Sequence, residues 1–154
     1  VADLIVGHYQ TSLEEDELGA ILARFESLAW DVVTEAGGQV VKLIGDEAMF
    51  VCPSAAEAGA AALQIVGATS EHNLPAARAG LAIGPVLARR GDYFGLPVNL
   101  ASRLVDVAAP GAVVVDDRFN ETLMDRFELA PMGAQRLKGI GTVSAWKLGS
   151  APAE

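Results

Sequence analysis

Between Asp16 and Ala36 the apolar residues Leu18, Ile21, Leu22, Phe25, Leu28, Ala29, Val32 and Val33 recur at intervals of three and four. That period gathers them on one face and predicts a helix of roughly five turns, ended by Gly37-Gly38. The pattern then changes. Gln39 to Leu43 and Glu47 to Cys52 are short apolar runs on either side of Gly45-Asp46, which predicts a hairpin with a carboxylate at its tip. Ser54 is placed to cap a second helix from Ala55 to about Thr69. Ala77 to Ile83 alternates weakly and reads as a strand; after the Gly84-Pro85 turn, Val86 to Arg90 reads as another. Pro97 to Ala108 is a third helix, stopped by Pro110-Gly111. Ala112 to Val115 reads as a short buried strand and Asp117 to Leu123 as a short helix. Phe127 to Ala130 and Val143 to Leu148 read as late strands, with Gln135 to Thr142 a loop between them.

Upstream of all this, Val1 to Val6 is apolar with an early Asp and reads as the end of a strand truncated at its N-terminus. Residues 1–149 are expected to form the domain and 150–154 a mobile polar tail. The order strand–helix–strand–strand–helix–strand–strand–helix, followed by short mixed elements, predicts an α+β fold. Helices should pack on an antiparallel-rich sheet in the ferredoxin-like style.

Composition narrows the function more than the fold. A chain of 154 residues, half of them apolar, is long enough for one domain with a substantial core. No apolar run approaches the roughly 20 residues of a membrane-spanning helix, and neither a signal peptide nor membrane contact is expected of this domain. Cys52 is the single cysteine. It reads as a buried strand thiol and suits a reducing, cytoplasmic setting. The net charge of −9 argues against binding to nucleic acid. It leaves a nucleotide open, because a divalent cation and a few local cations can dominate one site. The cluster Glu14-Glu15-Asp16-Glu17 reads as a helix first turn favoured by the helix dipole.

Two segments carry candidate chemistry. In Val40-Val41-Lys42-Leu43-Ile44-Gly45-Asp46-Glu47, Asp46 either satisfies a turn or ligates a cation together with a second acid, Asp3. Mg²⁺ takes one or two carboxylates plus phosphate oxygens, so two acids suffice beside a triphosphate. Lys42 points away from its apolar neighbours Val41 and Leu43. It is either a solvent-facing strand lysine or, with Asp92, a reader of the adenine ring nitrogen and amine. In Gly91-Asp92-Tyr93-Phe94-Gly95-Leu96-Pro97-Val98-Asn99-Leu100-Ala101-Ser102-Arg103, Asp92 precedes a turn over Tyr93-Phe94-Gly95, and Asn99 and Arg103 lie four apart on one helix face. They form either a surface pair or a ribose and phosphate clamp. Lys138 lies on the glycine-flanked loop Arg136-Leu137-Lys138-Gly139, either solvated or closing over phosphates.

Taken jointly, Lys-x-x-Gly-Asp-Glu, then Arg78-Ala79-Gly80, then Asp-x-x-Gly-x-x-Val-Asn-x-Ala-x-Arg resembles the class III adenylyl cyclase catalytic domain in order and spacing. Pro110-Gly111-Ala112-Val113-Val114-Val115 and Leu137-Lys138-Gly139 extend the resemblance over nearly the whole chain. It implies a homodimer that converts ATP to 3′,5′-cyclic AMP and pyrophosphate at sites shared between subunits. Asp3, the backbone of Leu4, and Asp46 of one subunit would hold two Mg²⁺ or Mn²⁺ ions, with Gly7 bordering the substrate. Lys42 and Asp92 of the other would read adenine, Asn99 and Arg103 would stabilise the transition state, and Lys138 would bind phosphate. One departure stands out. The family reads roughly Asp-Leu/Ile-x-Gly-Phe/Tyr-Thr/Ser after the first acid, whereas Asp3-Leu4-Ile5-Val6-Gly7-His8 places the glycine one position late. That departure motivates an alternative, a catalytically silent, nucleotide-binding regulatory module. A diguanylate cyclase, echoed by Gly45-Asp46-Glu47, fits less well. Its context before the hairpin is missing, and that family lacks the Asn99–Arg103 segment.

Overall fold

The computed structural model describes residues 2–6, 15–44, 47–71, 74 and 76–150; for 2–6, 15–18, 44 and 70 it describes the backbone alone. The first six elements are β1 (Ala2–Val6), α1 (Glu15–Glu35), β2 (Gln39–Ile44), β3 (Glu47–Val51), α2 (Ala55–Glu71) and β4 (Ala77–Leu81). A small hairpin follows, β5 (Leu87–Arg89) and β6 (Asp92–Phe94), leading into α3 (Leu96–Asp106). The chain closes with β7 (Val113–Asp116), α4 (Asp117–Leu123), β8 (Leu129–Leu137) and β9 (Gly141–Leu148).

Seven strands form one sheet in the order β2-β3-β1-β4-β7-β9-β8. Its first four strands follow the ferredoxin-like arrangement, with β1 antiparallel to both β3 and β4. The expected α+β class is the observed one. Among the described residues only the β4–β7 pairing is parallel, which requires a crossover, and β5, β6 and α3 supply it.

The strand pleat sorts side chains between two cores. Val113 and Val115 pack with Phe25 of α1, Ile65 of α2 and Phe119 of α4 on one face. Val114, between them, packs with Leu104 of α3 and with Leu137 and Ala145 on the other. A strand covered on both faces needs an unbroken apolar run, and Val113-Val114-Val115 is one. Phe25 and Ile65 are essentially fully buried. Each contributes about 1.5–3 kcal/mol of apolar burial, and Phe25→Ala would cost about 3–5 kcal/mol.

Two expectations need correction. Tyr93-Phe94 is not a turn but part of β6, paired with β5 through Leu87–Phe94, Ala88–Tyr93 and Arg89–Asp92. Arg90 and Gly91 make the two-residue connection, with φ of 54° and 77°, the left-handed pair that a tight hairpin favours. The aromatics are strand formers, and the real turn lies just before them. The loop expected over 135–142 is likewise mostly strand, because Arg136 pairs with Thr142 and Leu137 with Gly141. β8 stands at the sheet edge, and its stretch from Gly133 to Arg136 is exposed or half-buried, which gives a strand the polar composition of a loop.

Candidate active site

Lys42 owes its orientation to an irregularity in β2. Val40 pairs with Phe50, but Lys42 pairs with Met49, so one extra residue, Val41, is accommodated between them. Such a bulge shifts the alternation by one. Val40 and Phe50 belong to the core beneath α1 and α2. Lys42 instead shares the face of Met49, which is the α3 side of the sheet.

On that side Lys42 Nζ lies 3.2 Å from Oδ2 of Asp92 on β6. The other carboxylate oxygen, Oδ1, accepts the backbone N–H of Tyr93 at 2.8 Å. The Tyr93 N–H, foremost, and the Lys42 ammonium hold the Asp92 carboxyl below the ordinary carboxylate value. Both side chains remain partly exposed, so their remaining hydrogen-bonding capacity is open to a ligand.

Helix α3 presents the second group. Gly95 precedes it with φ 140° and accepts the N–H groups of Val98 and Asn99, while Pro97 sits in the first turn. Ala101, Leu104 and Val105 bury one face against the sheet. Asn99, Ser102 and Arg103 are left to line a cleft of about 290 Å³ with Leu96, Lys138, Gly139 and Ile140. Lys138 reaches this cleft because it stands at the β8–β9 turn, where Gly139 takes φ 77°. Arg103 Nη1 also lies 3.4 Å from Asp106 Oδ2 at the end of the same helix.

The predicted residues are therefore gathered in two groups, Lys42 with Asp92, and Asn99 with Arg103 and Lys138. Ser102 joins the second group unanticipated; its position three residues after Asn99 on a helix was the available signal. Asp3 and Leu4 lie on the interior strand β1, Asp3 in register with Met49 of β3 and Gly80 of β4, and Leu4 with Ala48 and Ala79. Asp46 and Gly7 lie outside the described residues. Glu47, directly after Asp46, pairs with Ile5 on β1 and with Ile44 on β2. β1, which bears Asp3, and β3, which begins at Glu47, are neighbouring strands, and a carboxylate donor set suits a hard divalent cation. Among the described residues no three His, Cys, Asp or Glu side chains gather into a metal site.

Other features lie apart from these groups. A pocket of about 400 Å³ on α1, lined by Arg24, Ser27, Leu28 and Asp31 among others, contains none of the candidate residues. Cys52 falls just after β3, half-buried, and burial pushes its thiol up to about 11. It is a protonated packing group at neutral pH. Among the described residues, no helix is long and apolar enough to cross a membrane.

Residues 15–150 match the adenylate and guanylate cyclase catalytic domain, and the chain belongs to that family. It is 42% identical over 124 residues to an adenylate cyclase of Streptomyces griseus, covering 80% of this chain and 31% of that protein. It is 34% identical over 165 residues to an adenylate cyclase of Streptomyces coelicolor, covering 88% and 43%. The chain thus spans less than half the length of these relatives. Among solved structures, an adenylate/guanylate cyclase/hydrolase from Silicibacter pomeroyi superposes with a TM-score of 0.81 at 28% identity, over 99% of this chain and 96% of that one.

Proposed function

We propose that this domain is an adenylyl cyclase that converts ATP to 3′,5′-cyclic AMP and pyrophosphate, at sites shared between two copies of the chain. The observation that carries this reading is the Lys42–Asp92 pair at 3.2 Å. Adenine offers a ring-nitrogen acceptor beside an amine donor, and an ammonium beside a carboxylate complements that edge. Guanine offers a ring N–H and amine instead, and an acid would be needed where Lys42 stands. The assignment of substrate therefore rests on these two side chains.

The remaining residues divide the chemistry. Asn99 hydrogen-bonds the ribose and fixes the 3′-hydroxyl for attack. The 3′-oxygen bonds to the α-phosphorus while the bond from that phosphorus to the bridging oxygen breaks. The hydroxyl proton passes to solvent and pyrophosphate leaves. Charge grows on the phosphoryl oxygens in that transition state, and the Arg103 guanidinium meets it. Lys138, across the same cleft, holds the departing phosphates. Two Mg²⁺ or Mn²⁺ ions, held by Asp3, the Leu4 backbone and Asp46 with Gly7 beside the phosphates, would neutralise the attacking and leaving oxygens. We place the domain in the cytoplasm, where ATP is abundant and Cys52 stays reduced.

The test is direct. Purified protein given ATP and Mn²⁺ should form cyclic AMP, with GTP a poor substitute, and Asp46→Ala should abolish the product. Absence of product with either metal rejects the cyclase reading, and full activity in Asp46→Ala rejects the metal role of that acid. The displaced glycine, Gly7, favours one second reading, a silent nucleotide-binding module. ATP binding without turnover at any metal concentration would select it.

A further inference from the structure

The chain carries 20 Asp and Glu against 11 Lys and Arg, so carboxylates are plentiful over its surface. Yet the two ion pairs that join fully described side chains both engage cations of the candidate site, Lys42 with Asp92 and Arg103 with Asp106. The second pair is not what helix stability alone would select. Asp106 is the last residue of α3, where the helix dipole disfavours an acid. It also follows its basic partner in sequence, the weaker order for a helical ion pair. Nor does its side chain cap the helix: the end closes through the Val107 N–H to the Leu104 carbonyl and the Ala108 N–H to the Val105 carbonyl. What Asp106 does have is Arg103 Nη1 at 3.4 Å, while Arg103 lines the cleft that Asp106 stays outside.

We propose that Asp106 is a positioning residue for Arg103: its carboxylate holds the guanidinium at the rim of the cleft in the nucleotide-free chain and yields it to an incoming polyphosphate. The inference rests on the reading of Arg103 as a phosphate-binding group. Both partners are well exposed, so the hold is weak and exchangeable, as a parking contact must be. Asp106 then competes with the substrate for one cation and lowers polyphosphate affinity by a set amount. A free arginine at this position would bind tripolyphosphate more tightly.

The experiment is calorimetric titration of the intact chain with inorganic tripolyphosphate at low salt. Asp106→Asn should tighten binding by about two- to fivefold, the range expected for releasing one exposed ion pair. Asp106→Glu, which keeps the charge, should bind like the original chain. In an Arg103→Ala background the Asp106→Asn substitution should change nothing. A gain that persists without Arg103 would show a general field effect and overturn the proposal, as would no gain or no binding at all. Because tripolyphosphate cannot be cyclised, the outcome is separable from catalysis. An Arg103-dependent gain in a chain that makes no cyclic AMP would sink the cyclase reading and leave this one standing.

Discussion

Gly80 on β4 lies directly beneath Ala101 of α3, close enough that a Cβ on Gly80 would collide with the Ala101 carbonyl oxygen and sit 2.6 Å from the Val105 nitrogen. Backbone occupies that space, so nothing flexible can yield. The absence of a side chain lets α3 settle onto the sheet and sets the height of Asn99 and Arg103 above β1. Gly80→Ala should therefore lift the helix, costing about 1–3 kcal/mol in urea unfolding. Cyclic AMP formation should fall further than stability alone explains, because a displacement near an ångström is costly for positioned groups. Unchanged stability would show that α3 is not seated by this contact.

The Lys42–Asp92 pair makes a prediction about pH. The Asp92 carboxyl is held below its ordinary 3.8, first by the Tyr93 N–H and then by Lys42. A lowered folded-state value means that the stabilisation is complete above the unfolded value and is lost as pH falls through the folded one. Across about pH 5–8 the Michaelis constant for ATP should then show no step from Asp92. Carbon-detected NMR titration should find the Asp92 carboxyl below 3.8. Lys42→Ala should raise it only part of the way, since the Tyr93 hydrogen bond remains. Asp92→Ala should weaken ATP by about 10- to 100-fold, the loss of a charged hydrogen bond.

Much of this was readable in the sequence because local signals and tertiary demands agree. Helix α1 keeps its apolar stripe from Ile21 to Val33, and Asp117–Leu123 is observed as α4 at the expected boundaries. Asp92, Asn99 and Lys138 stand at a turn or a helix start, where glycine and proline mark the chain, whereas Lys42 lies within β2 and Arg103 in the last turn of α3. Relations set by distant partners were not readable. The Val41 bulge depends on how β2 meets β3, and the β8–β9 hairpin extends through polar residues at a largely exposed sheet edge. The Arg103–Asp106 pair is silent in sequence for another reason: a helical acid three residues from an arginine is ordinary until the cleft beside it is seen.

Asp116 tests electrostatics away from the site. It ends β7 and caps α4, with Oδ1 accepting the Phe119 N–H at 3.1 Å. Burial pushes its carboxyl above 3.8, against the opposing pull of the Phe119 hydrogen bond. A raised folded-state value means that stability falls as pH climbs from the unfolded value through the folded one. Asp116→Asn keeps an acceptor for the cap and removes the charge, so it should match or exceed the original stability at pH 7 and lose that slope. Asp116→Ala removes the cap and should cost about 1 kcal/mol. Urea midpoints from pH 4 to 7 would measure both, and a stability loss in Asp116→Asn as large as in Asp116→Ala would contradict the burial argument.

The shared-site arrangement can be tested by mixing defects. If the acids of one copy work opposite the Lys42, Asp92, Asn99, Arg103 and Lys138 of another, Asp46→Ala and Arg103→Ala damage opposite halves of each site. In a heterodimer of the two variants, one site then carries both lesions and the other carries none. Random pairing of equal amounts makes about half the dimers mixed, with one of two sites restored in each, so activity should recover to about a quarter of the original. Each variant alone should remain near zero. Sites contained within single chains predict no recovery in the mixture, and that result, obtained with dimers confirmed by light scattering, would separate the copies into independent enzymes.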